Sequence, residues 1–168
     1  MLDRTYPGQI CSVARALEVV GERWSLLILR DALFGFTRFE DFRSRLGIAS
    51  NVLTARLERL VDEGLLERRQ YQEHPERFEY VLTEKGRGLG PALMMLMKWG
   101  DEHYPTEAGP PVATLHRGCG GKVDRRMRCG RCGERVEFQD VELATGPGLK
   151  AAGLSPFPPE DYAQAIGS

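Results

Sequence analysis

The stretch Arg38–Phe–Glu–Asp–Phe–Arg–Ser–Arg–Leu–Gly47–Ile–Ala–Ser50–Asn–Val–Leu–Thr–Ala–Arg–Leu–Glu–Arg–Leu–Val–Asp–Glu–Gly64 decides the fold. Its first part predicts a short helix, with Phe39, Phe42 and Leu46 on one face and Gly47 as the stop. Gly47-Ile48-Ala49 makes the turn, and Ser50 is expected to cap a second helix. In that helix Leu53, Leu57 and Leu60 form the inner stripe, and Gly64 ends it. Two short helices joined by a three-residue turn are a helix-turn-helix.

The flanks complete a unit over residues 10–104, after an N-terminal arm of residues 1–9. ICSVARALEVVGE, residues 10–22, places Ile10, Val13, Ala14, Leu17 and Val20 at helical spacing. RWSLLILRDALFG, residues 23–35, is apolar around most of its circumference and predicts a buried central helix. Beyond Gly64, LLERRQYQ and RFEYVLT read as two strands around the loop EHPE, with Pro75 at the hairpin tip. Thr83 caps a long last helix to Tyr104, with a kink or loose turn expected near Pro91. The expected fold is mainly α with a small β wing: a winged helix-turn-helix followed by a small Cys-rich β-hairpin module. Residues 105–111 form a linker, residues 112–143 the module, and residues 144–168 a flexible tail rich in Gly, Pro and Ala.

The phrases CSVARALEVVGERWSLLILRDALFG, RFEDFRSRLGIASNVLTARLERLVDEGLL and ERFEYVLTEKGRGLGPAL resemble the HxlR-type winged-helix regulators, relatives of the MarR group. The likeness covers Cys11 to about Tyr104. Its specific marks are the early Cys, Gly-x-x-Trp before the buried helix, Arg-Phe opening the third helix, and Glu-Tyr-x-Leu-Thr-x-x-Gly closing the wing. The resemblance implies a homodimeric, cytoplasmic transcriptional regulator that binds double-stranded DNA, often as a repressor. Some such regulators sense oxidants or electrophiles through a cysteine matching Cys11, although Cys is equally at home as a small buried hydrophobe. The effector, a small molecule or an oxidant, is not specified by the sequence.

The residues support a DNA reader on their own terms. Ser50, Asn51 and Thr54 put small hydrogen-bonding groups where a recognition helix enters the major groove. Arg56 and Arg59 can reach phosphates, as can Arg38, and the wing adds Arg68, Arg69, His74 and Arg77. The bland reading is that these are solvated charges, since Glu63, Glu67, Glu73 and Glu76 lie among them. A net charge of −1 excludes a uniformly basic nucleic-acid glue but not a charged face. A winged helix used for protein docking is the alternative. It would more readily expose Leu, Met or an aromatic side chain in that first turn.

On the last helix Leu89, Leu93, Leu96, Met97 and Tyr104 form one face, and Met94, Met95 and Trp99 fall away from it. Two apolar stripes predict a core and a dimer interface, with Met94, Met95 and Trp99 facing the partner. The other possibility is that the appendage or the tail covers them.

His116, Cys119, Cys129 and Cys132 have the spacing of a small zinc ribbon, and with four protein ligands the site would be closed and structural. A metal-free hairpin and a Cys129–Cys132 redox pair are the alternatives. Seven Lys or Arg against four Asp or Glu between residues 112 and 140 make the module basic. The chain has three histidines, His74, His103 and His116, and no set of nucleophile, base and oxyanion donors suggests an enzyme. The opening MLDRTYPGQI lacks the pattern of a signal peptide, no apolar run reaches the roughly 18 residues of a membrane span, and a cytoplasmic location without membrane attachment is expected.

Overall fold

The computed structural model describes residues 5–159. The chain divides into two compact units, the first running to Gly88 and the second beginning at Leu89.

The first unit starts with three helices, α1 (Ser12–Val20), α2 (Ser25–Leu33) and α3 (Phe39–Leu46). Gly47, at φ 60°, ends α3 in the left-handed conformation that glycine tolerates best. Helix α4 (Ser50–Asp62) follows, then the antiparallel hairpin β1 (Leu66–Gln72) and β2 (Arg77–Leu82), and the single-turn helix α5 (Glu84–Arg87). Ile28 and Leu29 of α2, Phe42 of α3 and Leu53, Leu57 and Leu60 of α4 are wholly buried. Leu65, Leu66 and Leu82 continue this core beneath the hairpin. Helix α2 packs against α3 and β2, and α4 against α3 and β1. The hairpin is anchored further by a bridge between Arg38 and Glu79 and by the Tyr80 N–H donating to the Thr37 carbonyl at 2.7 Å. The wing therefore grows from the same segment that opens α3.

Three local features differ from the expectation or sharpen it. Ser50 is the first residue of α4 and Ala49 occupies the cap position without a side-chain bond, so the Ser50 hydroxyl is left exposed. The helix beginning at Thr83 is interrupted after Arg87 and resumes as α6 (Gly90–His103), with Pro91 in its first turn, where its missing N–H is no loss. The Thr83 cap does form, its Oγ1 accepting from the Gly86 N–H. In α1 only Val20 is buried, whereas Val13 and Leu17, like Ile10 just ahead of the helix, lie on the surface, Ile10 completely.

The second unit contains α6, the antiparallel pair β3 (Val112–His116) and β4 (Val141–Thr145), and α7 (Pro147–Ala151) packed on β3. Within the expected hairpin module, the segments GKVDRRMRC, residues 121–129, and RVEFQDVEL, residues 135–143, form little regular strand before β4. Residues 121–135 make only single bridges, Leu115–Lys122, Val123–Cys129 and Arg128–Arg135, and the second segment passes through a 3-10 turn at Phe138–Asp140 before β4. Within the expected tail, α7 is tied down by Gly146 N–H and Gly148 N–H donating to the Pro111 and Pro110 carbonyls. Tail residues 160–168 lie outside the described residues.

The faces of α6 are only partly those predicted: Met97 packs inward and Trp99 outward as expected, whereas Met94 and Leu96 change places. Met94 is 4% exposed and joins Val123, Cys129, Val136 and Val141 in the unit's core, with Met95 and Met97 packed against it. Leu96, placed inward by the sequence, is 52% exposed, and Trp99 is 51% exposed. Of the three residues assigned to the dimer face, Met94 is thus taken up by the Cys-rich core, Met95 is half-buried there, and only Trp99 stands out. The reason lies in partner availability: the core that α6 covers belongs to its own unit. Gly90 shows how close the packing is, because a Cβ there would overlap the Phe138 ring. Lys98 reaches across to donate to Thr114 Oγ1 and the Val123 carbonyl at 2.6 and 2.5 Å, and Arg125 pairs with Glu102 at 2.9 Å.

Candidate nucleic-acid interface and metal centre

Helix α4 is held by its three buried leucines, which turns Ser50, Asn51, Thr54, Ala55 and Glu58 to solvent. The exposed first turn therefore carries two hydroxyls and one carboxamide, groups that both donate and accept and can pair with base edges. The arginines behave less uniformly. Arg56 forms a 2.8 Å ion pair with Glu22 and its Nε donates to the Arg23 carbonyl, which fastens α4 to the α1–α2 turn. Arg59 pairs with Glu63 at 2.9 Å and Arg69 with Glu67 at 2.8 Å. Both of those pairs are solvent-accessible, so a phosphate can replace the carboxylate at small cost. Arg68 lies 3.5 Å above the Phe78 ring. Arg38 stacks on Tyr71 at 5.1 Å and shares with Arg77 a groove of about 440 Å³ also lined by Phe39, Glu40, Asp41, Tyr71 and Phe78. His74 is exposed in the turn at the wing tip.

Beneath this surface lies an ion cluster that the sequence reading missed. Asp31 of α2 is completely buried, with Arg30 at 2.8 Å on one carboxylate oxygen and Arg45 of α3 at 3.3 Å on the other. Arg45 also covers the Phe36 ring at 3.9 Å. The cluster ties α2 to the end of α3, immediately before the turn into α4. An adjacent Arg–Asp pair inside an otherwise apolar helix, LLILRDAL, was the available signal.

In the second unit the four expected ligands converge. His116 Nδ1 is 3.5 Å from Cys119 Sγ and 3.3 Å from Cys132 Sγ, and Cys119 Sγ is 3.4 Å from Cys129 Sγ. All four donor atoms fall within 4.8 Å of one another. Tetrahedral zinc, with sulfur at about 2.3 Å and nitrogen at about 2.0–2.1 Å, sets edges of about 3.6–3.8 Å. The donor set fits such an ion in number, type and spacing. The backbone N–H of Cys132 lowers the Cys129 thiol, and the N–H of Arg131 with the neighbouring Cys119 and Cys132 sulfurs helps bring it to about 6 against the effect of burial. A thiolate is the form a metal ligates.

Cys11 is exposed at the cap of α1, and the backbone N–H groups of Ala14 first and Val13 second hold its thiol below the ordinary range. No helix among the described residues is long and apolar enough to cross a membrane.

A buried three-helix core, an exposed polar first turn on the second helix of a helix-turn-helix, and an anchored basic hairpin define a winged-helix DNA-binding protein. Residues 19–108 match the family model described as HxlR-like helix-turn-helix, and the chain belongs to that family. It is 50% identical over 150 residues to the uncharacterised HTH-type transcriptional regulator Rv3095 of Mycobacterium tuberculosis, covering 89% of this chain and 94% of that one. Among solved structures, PA1607, a candidate transcription factor, superposes with a TM-score of 0.62 at 38% identity, over 82% of this chain and 96% of its own. The redox regulator HypR, in its reduced form, is similar over 55% of this chain and 92% of its own, with a TM-score of 0.52 and 32% identity. The chain is accordingly an HTH-type, DNA-binding transcriptional regulator.

Proposed function

We propose that the protein acts as a homodimeric repressor that reads a near-palindromic operator through α4 and the wing. The exposed Ser50/Asn51/Thr54 turn, fixed from below by Leu53, Leu57 and Leu60, carries this reading. Arg38, Arg59, Arg68, Arg69, His74 and Arg77 supply phosphate and minor-groove contacts around it, while Arg56 chiefly orients the helix through Glu22. Exposed apolar side chains offer surface for a two-fold dimer: Ile10, Val13 and Leu17 in one unit, Leu96 and Trp99 in the other. Recovery and sequencing of genomic fragments bound at physiological salt tests the reading. Discrete sites sharing an inverted repeat are expected, with half-sites about 34–36 Å apart or a multiple of that. Bound fragments with no common sequence would refute it.

The Cys-rich unit holds one structural zinc on His116, Cys119, Cys129 and Cys132, and the converging donor atoms support this. Zinc would clamp the two Cys turns, while the chain's own residues, Met94 above all, supply the apolar packing. One zinc per chain is expected by metal analysis after dialysis against metal-free buffer, and none in Cys129→Ser/Cys132→Ser. A second reading concerns signalling: Cys11, exposed and acidified, senses oxidants in the cytoplasm, as the similarity to the redox regulator HypR favours. Cys11→Ser should then retain operator binding in the presence of peroxide or quinone that releases the unaltered protein.

A further inference from the structure

Several arginines in each unit are held by a partner. Arg56, Arg59 and Arg69 each sit on a glutamate. In the Cys-rich unit Arg125 pairs with Glu102, and Arg131 donates to the Cys119 carbonyl. The exposed side chains of Arg126, Arg128 and Arg135 make no ion pair or hydrogen bond among the described residues.

The backbone groups these three together. Residues 123–129 turn back on themselves, with the Val123–Cys129 bridge at the base and the Asp124 N–H donating to the Arg128 carbonyl at 2.9 Å. The Asp124 carboxylate accepts from the backbone N–H groups of Arg126 and Arg128, at 2.8 and 2.9 Å. Asp124 thus holds the turn through its carboxylate, and its charge also acts on Arg126. Arg128 is bridged directly to Arg135, so two guanidinium-bearing residues stand opposite each other on neighbouring segments. Like charges so placed repel, which weakens the fold locally and favours a polyanion that would lie between them.

We propose that the Arg126, Arg128 and Arg135 surface of the Cys-rich unit is a second contact for the phosphate backbone of duplex DNA. The proposal rests on the chain being a DNA-binding regulator and not on the metal. Residues 117–135 contain no aromatic side chain and no Asn or Gln. Such a surface offers neither stacking for single-stranded bases nor the carboxamides that read adenine. What it offers is planar cationic forks for phosphate, which add affinity without sequence preference.

The test uses the full chain with zinc supplied and measures anisotropy titrations on a duplex of random sequence over a range of salt. Arg126→Ala/Arg128→Ala/Arg135→Ala is expected to lower the slope of log affinity against log salt by about 2–3, near 0.9 for each phosphate no longer neutralised. Affinity at about 0.1 M salt should fall at least tenfold, by the same factor on operator and random duplexes. The single change Arg128→Gln should lower the slope by about 1 and secures the result if the triple variant folds poorly. Arg15→Ala/Arg43→Ala/Lys150→Ala, which removes equal charge elsewhere, should leave the slope unchanged. An unchanged slope in the triple variant, or an equal fall in the control, overturns the proposal and turns attention to an acidic protein as the partner of this surface. If the unaltered chain showed no salt-dependent binding, the DNA-binding reading itself would fall with it.

Discussion

At Asn51 a single carboxamide stands on the exposed first turn of α4, clear of the leucine stripe. Replacing it by Ala is expected to weaken operator binding by about 1–3 kcal/mol and random DNA much less, as paired titrations would show. Equal losses would mean that it only positions the backbone. Gly90 makes the converse case, where the absence of an atom matters. Gly90→Ala forces a Cβ into the Phe138 ring and should cost about 1–3 kcal/mol in denaturant unfolding. Phe138→Leu in the same chain should recover part of that loss, which a strain located elsewhere would not allow. Cys11 has a third kind of signature, in reactivity. Because its thiol is lowered by the Ala14 and Val13 N–H groups, its alkylation should accelerate at a lower pH than that of a free cysteine.

The elements were legible in proportion to how much of their pattern is local. Helix α4 and the hairpin after it carried a 3.6-residue leucine stripe and an aromatic alternation, and both form where the pattern put them. Helix α1 was also found, yet its stripe of Ile10, Val13 and Leu17 faces solvent. Periodicity states that a face is apolar but not what covers it. The same ambiguity exchanged Met94 and Leu96 of α6, two apolar residues only two positions apart. Strand β3 was missed because VATLH is five residues long beside a proline pair, and its partner lies some 30 residues away in sequence. The four ligands were readable because Cys-x-x-Cys spacing is itself a local geometry. The Asp31 cluster was not, since nothing in the sequence pairs it with Arg45. Between α2 and α3 this cluster predicts an unequal mutational pattern. Asp31→Ala should cost about 3 kcal/mol by urea unfolding, because it breaks a buried pair. Arg30→Ala or Arg45→Ala should each cost less, since the carboxylate keeps its other partner.

For the molecule as a whole, the exposed apolar residues bear on assembly. Val13 is 64% exposed on α1 and Trp99 51% on α6. If these surfaces are joined between two copies, Val13→Glu should yield a folded monomer by sedimentation and lose most operator affinity, because two half-sites must be engaged together. A dimer unaffected by both Val13→Glu and Trp99→Glu would place the interface elsewhere.

The division of the chain between Gly88 and Leu89 has a practical consequence for anyone dissecting it. The Pro-rich stretch before Val112 looks like a hinge at which to cut, leaving a tidy reader of DNA upstream. Ending the chain at Tyr104 would instead strip α6 of Val123, Val136, Val141 and Phe138 and leave Met94, Met95 and Met97 bare on a helix already carrying Leu96 and Trp99 outward. Such a fragment should be sticky and poorly soluble. The Pro-rich stretch before Val112 therefore lies inside the second compact unit, downstream of the helix that this unit's core needs.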